Sequence, residues 1–246
     1  MSIFYVKNEQ IDDNKKAVIL GDDVKHISDV LRHKIGDLLD ICDENGVRYV
    51  TKISTMEKAS IGLDVLEVSN YTTEPSIMVT LFQGMPKADK LELIIQKCTE
   101  LGVNEIIPVI MDRVVVKLDD KNIDKKVERW NKIALEAGKQ SGRQKIPMVQ
   151  KPTKLKNLIE NISKYDIVLL PYECEKQISL KAVLKNLDRK CKNVAIIIGP
   201  EGGFSENEIE LLSLENVKRV SLGPRILRTE TAGLATLAMV LYELQD

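Results

Sequence analysis

The sequence predicts an α/β protein in which a small β-rich domain precedes a larger domain built on a mostly parallel sheet. Several short strand-like runs separated by turns fill the first 70 residues, a pattern typical of small barrels. Beyond residue 76, strand-length apolar runs alternate with helical patterns, which indicates parallel strands covered by helices. Near the C-terminus, two strand–loop–helix units follow one another. Their loops are expected at the carboxyl edge of the sheet, where open α/β folds bind ligands.

Residues 1–70 are predicted to form one domain of five strands and a short helix. Asp22 or Asp23 is a candidate cap for that helix, which should continue to Leu31. The segment 43–46 ends in Asn-Gly, a strong hairpin-turn pattern. The predicted strands are Ile3–Val6, Ala17–Leu20, Leu38–Cys42, Val47–Ile53 and Ile61–Val68.

Residues 71–76 are interpreted as a linker because they contain turn formers and little periodicity. The second domain then covers residues 77–246. Its helix from Pro86 should end at Gly102, a favourable residue just beyond a helix C-terminus. The other predicted elements before residue 190 are strands Ile77–Phe82, Glu105–Ile110, Val114–Leu118 and Ile167–Leu170, and helices Ile123–Gly142 and Leu180–Leu187.

The two C-terminal units carry the strongest pattern in the chain. The apolar run 194–198 predicts a strand buried on both faces. It leads into Gly-Pro-Glu-Gly-Gly-Phe-Ser, where Ser205 and Glu208 have the spacing of a capping box and predict the start of a helix. In the second unit, Thr229 or Thr231 is the candidate cap of the last helix.

Backbone groups are expected to recognise the ligand in these loops, because glycines let a ligand approach the main chain closely. An adenine edge or a ribose suits such a surface. Neither G-x-x-x-x-G-K-[ST] nor G-x-G-x-x-G after a strand occurs, so a P-loop and a dinucleotide fingerprint are excluded. A nicotinamide or nucleotide enzyme is therefore disfavoured.

Composition places the chain among ordinary globular proteins of the cytoplasm. Its 36 basic and 37 acidic residues nearly balance, and residues 121–145 and 150–192 are locally basic, as a surface facing RNA phosphates would be. No long apolar run predicts a membrane span. The four cysteines are scattered and the chain has two histidines, so we expect reduced packing thiols and no metal site.

The paired C-terminal motifs resemble those of the bacterial 16S ribosomal RNA uracil-N3 methyltransferases, which belong to the SPOUT superfamily. The first motif is Gly199-Pro-Glu-Gly-Gly-Phe-Ser with Glu208, and the second is Leu222-Gly-Pro-Arg-Ile-Leu-Arg-Thr-Glu-Thr-Ala. The resemblance covers nearly the whole chain. Its other positions are His26, Leu31, Arg32, Lys90, Ile95–Gly102, Arg113, Arg129, Trp130, Glu136, Ala137, Gln140, Ser141 and Arg143.

The resemblance implies a trefoil-knotted parallel sheet flanked by helices, an N-terminal PUA-like β-barrel used for RNA docking, and a homodimer. It implies S-adenosylmethionine as methyl donor and 16S rRNA in the small ribosomal subunit as partner, with uridine 1498 as the family target. The donor site that we expect from the resemblance and the loops comprises Leu170, Pro171, Gly199, Pro200, Glu201, Gly202, Gly203, Leu222, Gly223, Ile226, Leu227 and Thr231.

Uracil N3 carries a proton, so its methylation needs a base or a cation that stabilises the developing negative charge. Arg228 and Glu230 are the candidate catalytic residues, with Glu201 as another possible base. The candidate RNA-binding residues are Arg32, Arg113, Arg143 and Arg225.

Several alternatives stay open at this point. Glu230 is also expected in the first helical turn for dipole reasons alone, and Arg228 could simply pair with it. His26 could be a half-buried helix residue instead of an RNA contact. The acceptor could be a ribose 2′-hydroxyl, or the protein could be a non-catalytic ribosome-assembly factor, which would have no affinity for the donor.

Overall fold

The computed structural model describes residues 3–87, 90–114, 122–188 and 190–245. The chain divides into two compact units. The first comprises Met1–Glu74 together with Gly138–Lys145, and the second comprises Pro75–Ala137 and Ile146–Asp246. Each unit has its own sheet and its own apolar core.

The five strands predicted for the first unit are confirmed. Their bounds are β1 Ile3–Tyr5, β2 Lys16–Leu20, β3 Leu38–Cys42, β4 Arg48–Met56 and β5 Ser60–Val68. They form one sheet in the order β1-β3-β4-β5-β2, in which β1 runs parallel to β3 and the other pairs are antiparallel. Side chains such as Ile27, Ile41 and Ile61 are completely buried in the core of this unit.

The predicted helix of the first unit forms, but its start and its geometry differ from expectation. Helix α1 (Asp22–Lys25) is followed by a π-helical turn, His26–Val30. Its N-cap is Gly21, at φ +77°, so both aspartates lie inside the first turn. The prediction that Asp22 or Asp23 caps the helix is therefore wrong, because Gly21 occupies the N-cap position. Carboxylates in the first turn are nevertheless favourable to the helix dipole.

The second unit contains a parallel sheet flanked by helices, as the alternation of patterns predicted. Its elements are β6 Met78–Gly84, α2 Lys90–Leu101, β7 Glu105–Ile110, α3 Ile123–Ser141, β8 Met148–Val149, β9 Thr153–Lys154, α4 Leu155–Ile159, β10 Ile167–Pro171, α5 Leu180–Lys185, β11 Asn193–Ile198, α6 Glu206–Leu211, β12 Val217–Val220 and α7 Thr229–Leu244. The last residues of α3, from Gly138 on, belong to the first unit. The strand order is β12-β10-β11-β6-β7-β8, with the short β9 also pairing with β7.

The sequence pattern of this unit is clearest in the central strand β11. Residues 194–198 of β11 are almost completely buried on both faces, as an interior parallel strand requires. Gly102 ends α2 at φ +109°, and its N–H donates to the Cys98 carbonyl. Short elements such as β8, β9 and α4 were missed because two to five residues carry too little periodicity.

Most of the predicted strand Val114–Leu118 lies outside the described residues. Cys42, Cys98 and Cys191 are buried free thiols, as expected of packing residues, whereas Cys174 is exposed. None of the helices in the described part of the chain combines the length and apolar character needed to cross a membrane.

Candidate functional site

A cleft of about 930 Å³ opens at the carboxyl ends of β10, β11 and β12, within the second unit. Each of these parallel strands ends in a loop that lines the cleft. Pro171 ends β10 and Tyr172 follows it, Gly199 follows β11, and Leu222 comes after β12. The sheet therefore brings together three loops that are far apart in the sequence, as expected for this edge.

The loop after β11 is folded tightly against Phe204. A β-carbon on Gly199 would lie 3.1 Å from the Phe204 ring, and that ring meets Tyr172 edge to face at a centroid distance of 6.4 Å. Gly203 has φ +69°, and a β-carbon there would lie 3.0 Å from a carboxylate oxygen of Glu173. Both positions favour glycine because a β-carbon would crowd the neighbouring side chain. At Gly203 the positive φ is a second reason, since it is unfavourable for other residues.

Thr229, the first residue of α7, holds the start of this loop in place. Its hydroxyl donates to the Gly199 carbonyl at 2.6 Å and accepts from Gln83 Nε2 at 2.9 Å. The N-cap of α7 is Arg228, which makes no side-chain capping bond. The prediction that Thr229 or Thr231 caps the helix is wrong, because Thr229 is the first helical residue and its hydroxyl serves a tertiary contact.

The far end of the loop is held by the predicted capping box, which the structure confirms. Ser205 Oγ accepts from Glu208 N, and Glu208 Oε2 accepts from Ser205 N at 2.8 Å. The other Glu208 oxygen accepts from Asp112 N, and Arg113 donates to the Gly202 carbonyl at 3.0 Å. The segment after β7 therefore clamps the loop as well.

The loop after β12 is open by comparison. Ile226 is 86% exposed, and a β-carbon on Gly223 would meet no atom of the described residues within 4 Å. Arg225 and Arg228 are also exposed and line the cleft. This loop offers two cations and an apolar side chain to whatever enters.

Lys90 joins the cleft from the first turn of α2. Its ammonium lies 3.0 Å from Glu201 Oε1 and 3.4 Å from Glu230 Oε2. The hydrogen bond to Glu201, with the nearby Glu230 charge, raises the pKa of Lys90. Partial burial opposes ionisation of Glu201, but the N–H groups of Glu201 and Lys87 and the Lys90 ammonium outweigh it and lower its pKa.

The structure brings most of the expected donor-site residues together. Those that line the cleft are Pro171, Gly199, Pro200, Glu201, Gly203, Leu222, Gly223, Ile226 and Leu227. Leu170 instead lies completely buried in the core, beneath the loops. Gly202 faces Arg113, and Thr231 is exposed on α7. Of the two expected catalytic residues, Arg228 lines the cleft and Glu230 contacts it through Lys90.

The four expected RNA-binding arginines occupy different environments. Arg225 is exposed at the cleft, Arg113 is exposed but bonded to Gly202, and Arg32 is exposed in the first unit at φ +57°. Arg143 is 5% exposed and forms an ion pair with Glu74. Its burial favours a role in holding the first unit together over contact with RNA.

Several residues that shape the site were not among the expected donor-binding, catalytic or RNA-binding residues. Lys90, Glu173, Phe204 and Thr229 all line the cleft. The resemblance included Lys90, Phe204 and Thr229, which was the available signal, but their contacts depend on segments distant in the chain. Within the described residues, no group of three His, Cys, Asp or Glu side chains is placed to hold a metal ion.

Comparisons with known proteins agree with this geometry. The family model described as RNA methyltransferase domain matches residues 73–241. The chain is 38% identical to ribosomal RNA small subunit methyltransferase E of Bacillus subtilis, covering 96% of this chain and 93% of that protein. It is 31% identical to the protein of the same name from Aquifex aeolicus, covering 98% and 99%.

A solved structure is also similar over almost its full length. It is the ribosomal RNA small subunit methyltransferase E from Neisseria gonorrhoeae, bound to S-adenosyl methionine. The TM-score is 0.84 at 27% identity, and the alignment covers 98% of this chain and 97% of that one.

Proposed function

This chain belongs to the RNA methyltransferase domain family, and we propose that it methylates N3 of a uridine in 16S ribosomal RNA with S-adenosylmethionine as donor. The observation that carries the proposal is the cleft at the ends of β10, β11 and β12. Two of its loops contain the paired motifs that resemble the uracil-N3 methyltransferases. The uridine equivalent to position 1498 is the proposed target.

The residues of the cleft fit the donor. A volume of about 930 Å³ is within the range of small-molecule sites. Leu222, Leu227 and Pro171 supply apolar surface for an adenine ring, and the main chain around Gly199 and Gly203 can approach the ligand without a β-carbon intervening. When bound, S-adenosylmethionine supplies a methyl group on a positively charged sulfur, which leaves as a neutral thioether when the methyl carbon accepts an electron pair.

The protein has two tasks beyond binding. It must align the uracil N3 with the methyl carbon, because a well-oriented pair reacts far faster than two free molecules. It must also remove the N3 proton and leave the electron pair on nitrogen. We assign the proton to the Glu230 carboxylate, with Glu201 as the other candidate, and assign Arg225 and Arg228 to RNA phosphate or the uracil oxygens.

We also propose the finer features that the resemblance implies. They are a trefoil knot in the second unit, a PUA-like barrel in the first, a homodimer, and a cytoplasmic location. Support for the knot comes from α7, whose first residue bonds to both Gly199 and Gln83. Helix α7 therefore begins against the ends of β6 and β11. An exposed strip of α7 with Met239 and Tyr242 is suitable for a second copy, and the mass in solution tests it.

Calorimetric titration with S-adenosylmethionine tests the donor site. We expect micromolar binding by the wild type. Gly203→Val should weaken it at least tenfold, because a β-branched residue is strained at φ +69° and its β-carbon would press on Glu173. Gly142→Val is the matched control, since φ is +71° there in the first unit with no described neighbour within 4 Å.

Mass-spectrometric mapping of 16S rRNA after incubation tests the acceptor. The proposal expects one added methyl group on the base of one uridine. A methyl group on the ribose would replace the acceptor assignment. Absence of both donor binding and methylation, with rRNA and with the small subunit, would favour the assembly-factor alternative.

A further inference from the structure

Three segments of the chain meet at Lys90. The lysine comes from α2, Glu201 from the loop after β11, and Glu230 from the first turn of α7. The exposed fractions of the three side chains are 34%, 27% and 15%. Partial shielding from water makes their interactions stronger than those of an ordinary surface pair.

The cluster is unbalanced in charge and in hydrogen bonding. Two carboxylates share one ammonium, and Glu230 Oε2 is buried without a hydrogen bond from any of the described residues. An ammonium has three N–H donors, and the two carboxylate contacts occupy at most two. Lys90 also lines the cleft. The cluster therefore has one acceptor without a hydrogen bond, Glu230 Oε2, and one unused N–H donor on Lys90, through which Glu230 is connected to the cleft.

A free acceptor beside a free donor matches one feature of uracil. Its N3–H donor is flanked by two carbonyl acceptors, so a carboxylate facing N3 and an ammonium facing O2 or O4 satisfy adjacent groups. Cytosine has a lone pair at N3, which the same carboxylate would repel. The arrangement therefore distinguishes the two pyrimidines through one pair of side chains.

From this juxtaposition we infer that Lys90 is a further catalytic residue, which binds a uracil carbonyl oxygen and stabilises the N3 anion while Glu230 takes the N3 proton. The N3–H bond breaks, the proton goes to the carboxylate, and the electron pair remains on the ring. Glu201 is a positioning residue that acts through Lys90. The inference rests on the proposed function, since it assigns roles in that reaction.

The electrostatic consequence is a lower pKa of the bound uracil. A positive charge in contact with an ionising group favours its anion, commonly by one to three pKa units. The charged groups that face Lys90 are Glu201 and Glu230. Other charged residues that line the cleft are Glu173, Glu175, Lys176, Arg225 and Arg228. These are unchanged in a Lys90 variant, so the comparison isolates the ammonium.

The test uses Lys90→Gln, which removes the charge, Lys90→Arg, which keeps it, and Lys97→Met as the matched control. Lys97 lies two turns along the same helix and pairs with Glu100. Lys90→Met repeats the charge removal in case glutamine disturbs the first turn. Single-turnover methylation of 16S rRNA is measured from pH 6 to pH 10, and donor affinity by calorimetry.

We expect Lys90→Gln to lower the rate at pH 7 by roughly 100-fold, the usual effect of losing a group that stabilises a developing anion. The loss should shrink as pH rises, because alkali then removes the N3 proton without help. Lys90→Arg should retain much of the rate, Lys97→Met all of it, and donor affinity should stay constant. A loss of equal size at every pH, or no loss, would overturn the inference.

A second measurement needs no donor and no turnover. A fragment of 16S rRNA carries 5-fluorouridine at the position that the wild type methylates, and its fluorine resonance is followed with pH. The N3 pKa should be about one to three units higher bound to Lys90→Gln than to wild type. Equal pKa values would refute the role of Lys90. If the wild type itself methylates no uridine, the proposed function fails instead, and the two failures are distinguishable.

Discussion

Two of the loops that line the cleft, those after β11 and β12, have similar sequences but very different surroundings. The loop after β11 is bonded at both ends, through Thr229 to Gly199 and through the Ser205–Glu208 capping box. The loop after β12 carries an 86% exposed Ile226 and an exposed Arg225. One loop is fixed by neighbours from several segments, and the other is largely surrounded by solvent.

This difference favours separate roles for the two loops, one in donor binding and the other in RNA binding. A fixed main chain suits recognition of a small donor, because its hydrogen-bonding groups need no reordering when the ligand arrives. An open loop with arginines suits a large, charged acceptor such as RNA, whose phosphates are bound by exposed cations. The predictions below separate the two loops by their effects on stability and on function.

The largest effect should follow Gly84→Ala, beneath the fixed loop. A β-carbon there would lie 2.6 Å from Pro200 N and 2.9 Å from Gly199 C. Backbone atoms cannot move aside as a flexible side chain can, so we expect a loss of about 3 kcal/mol in the free energy of unfolding, the upper end of the usual effect of overpacking. Denaturant titration measures it.

Gly223→Ala, in the open loop, is the control for that substitution. Its φ is +115°, and a β-carbon there would meet no atom of the described residues within 4 Å. We therefore expect only backbone strain, which lowers the unfolding free energy by about 1 kcal/mol. Equal losses at the two positions would contradict the contrast between the loops.

A smaller effect is expected from Thr229→Val, which keeps the side-chain shape and removes the hydroxyl. Gly199 O then loses its donor and Gln83 Nε2 loses an acceptor. We expect a loss of about 1–3 kcal/mol in unfolding free energy, together with weaker donor binding. Thr231→Val, on the exposed side of the same helical turn, should leave stability within about 0.5 kcal/mol. Thermal unfolding and calorimetry on both variants check this.

The smallest effect on stability should come from Ile226→Ser. The side chain is almost fully exposed, so unfolding free energy should change by no more than about 0.5 kcal/mol. If the open loop serves the ligands, methylation of rRNA should nevertheless fall severalfold. Unchanged methylation would show that Ile226 contributes neither to donor binding nor to RNA binding.

Local features of the site were predictable from the sequence because their partners lie a few residues away. Three such predictions are confirmed. They are the Ser205–Glu208 capping box, the buried strand that ends at Ile198, and the end of α2 at Gly102. The same local reasoning failed at Thr229 and at Asp22, where a hydroxyl or carboxylate of the right type stood one position away from the cap.

By itself, then, the sequence determined the alternation of strands and helices, the position of the Gly-rich loops and their location at one edge of a parallel sheet. Tertiary structure alone decided which side chains meet there. Lys90 pairs with Glu201 across 111 positions, and Gln83 with Thr229 across 146. Periodicity and turn chemistry act over a few residues, whereas such contacts depend on how the sheet orders its strands. The proposed catalytic cluster therefore became visible only in the folded chain.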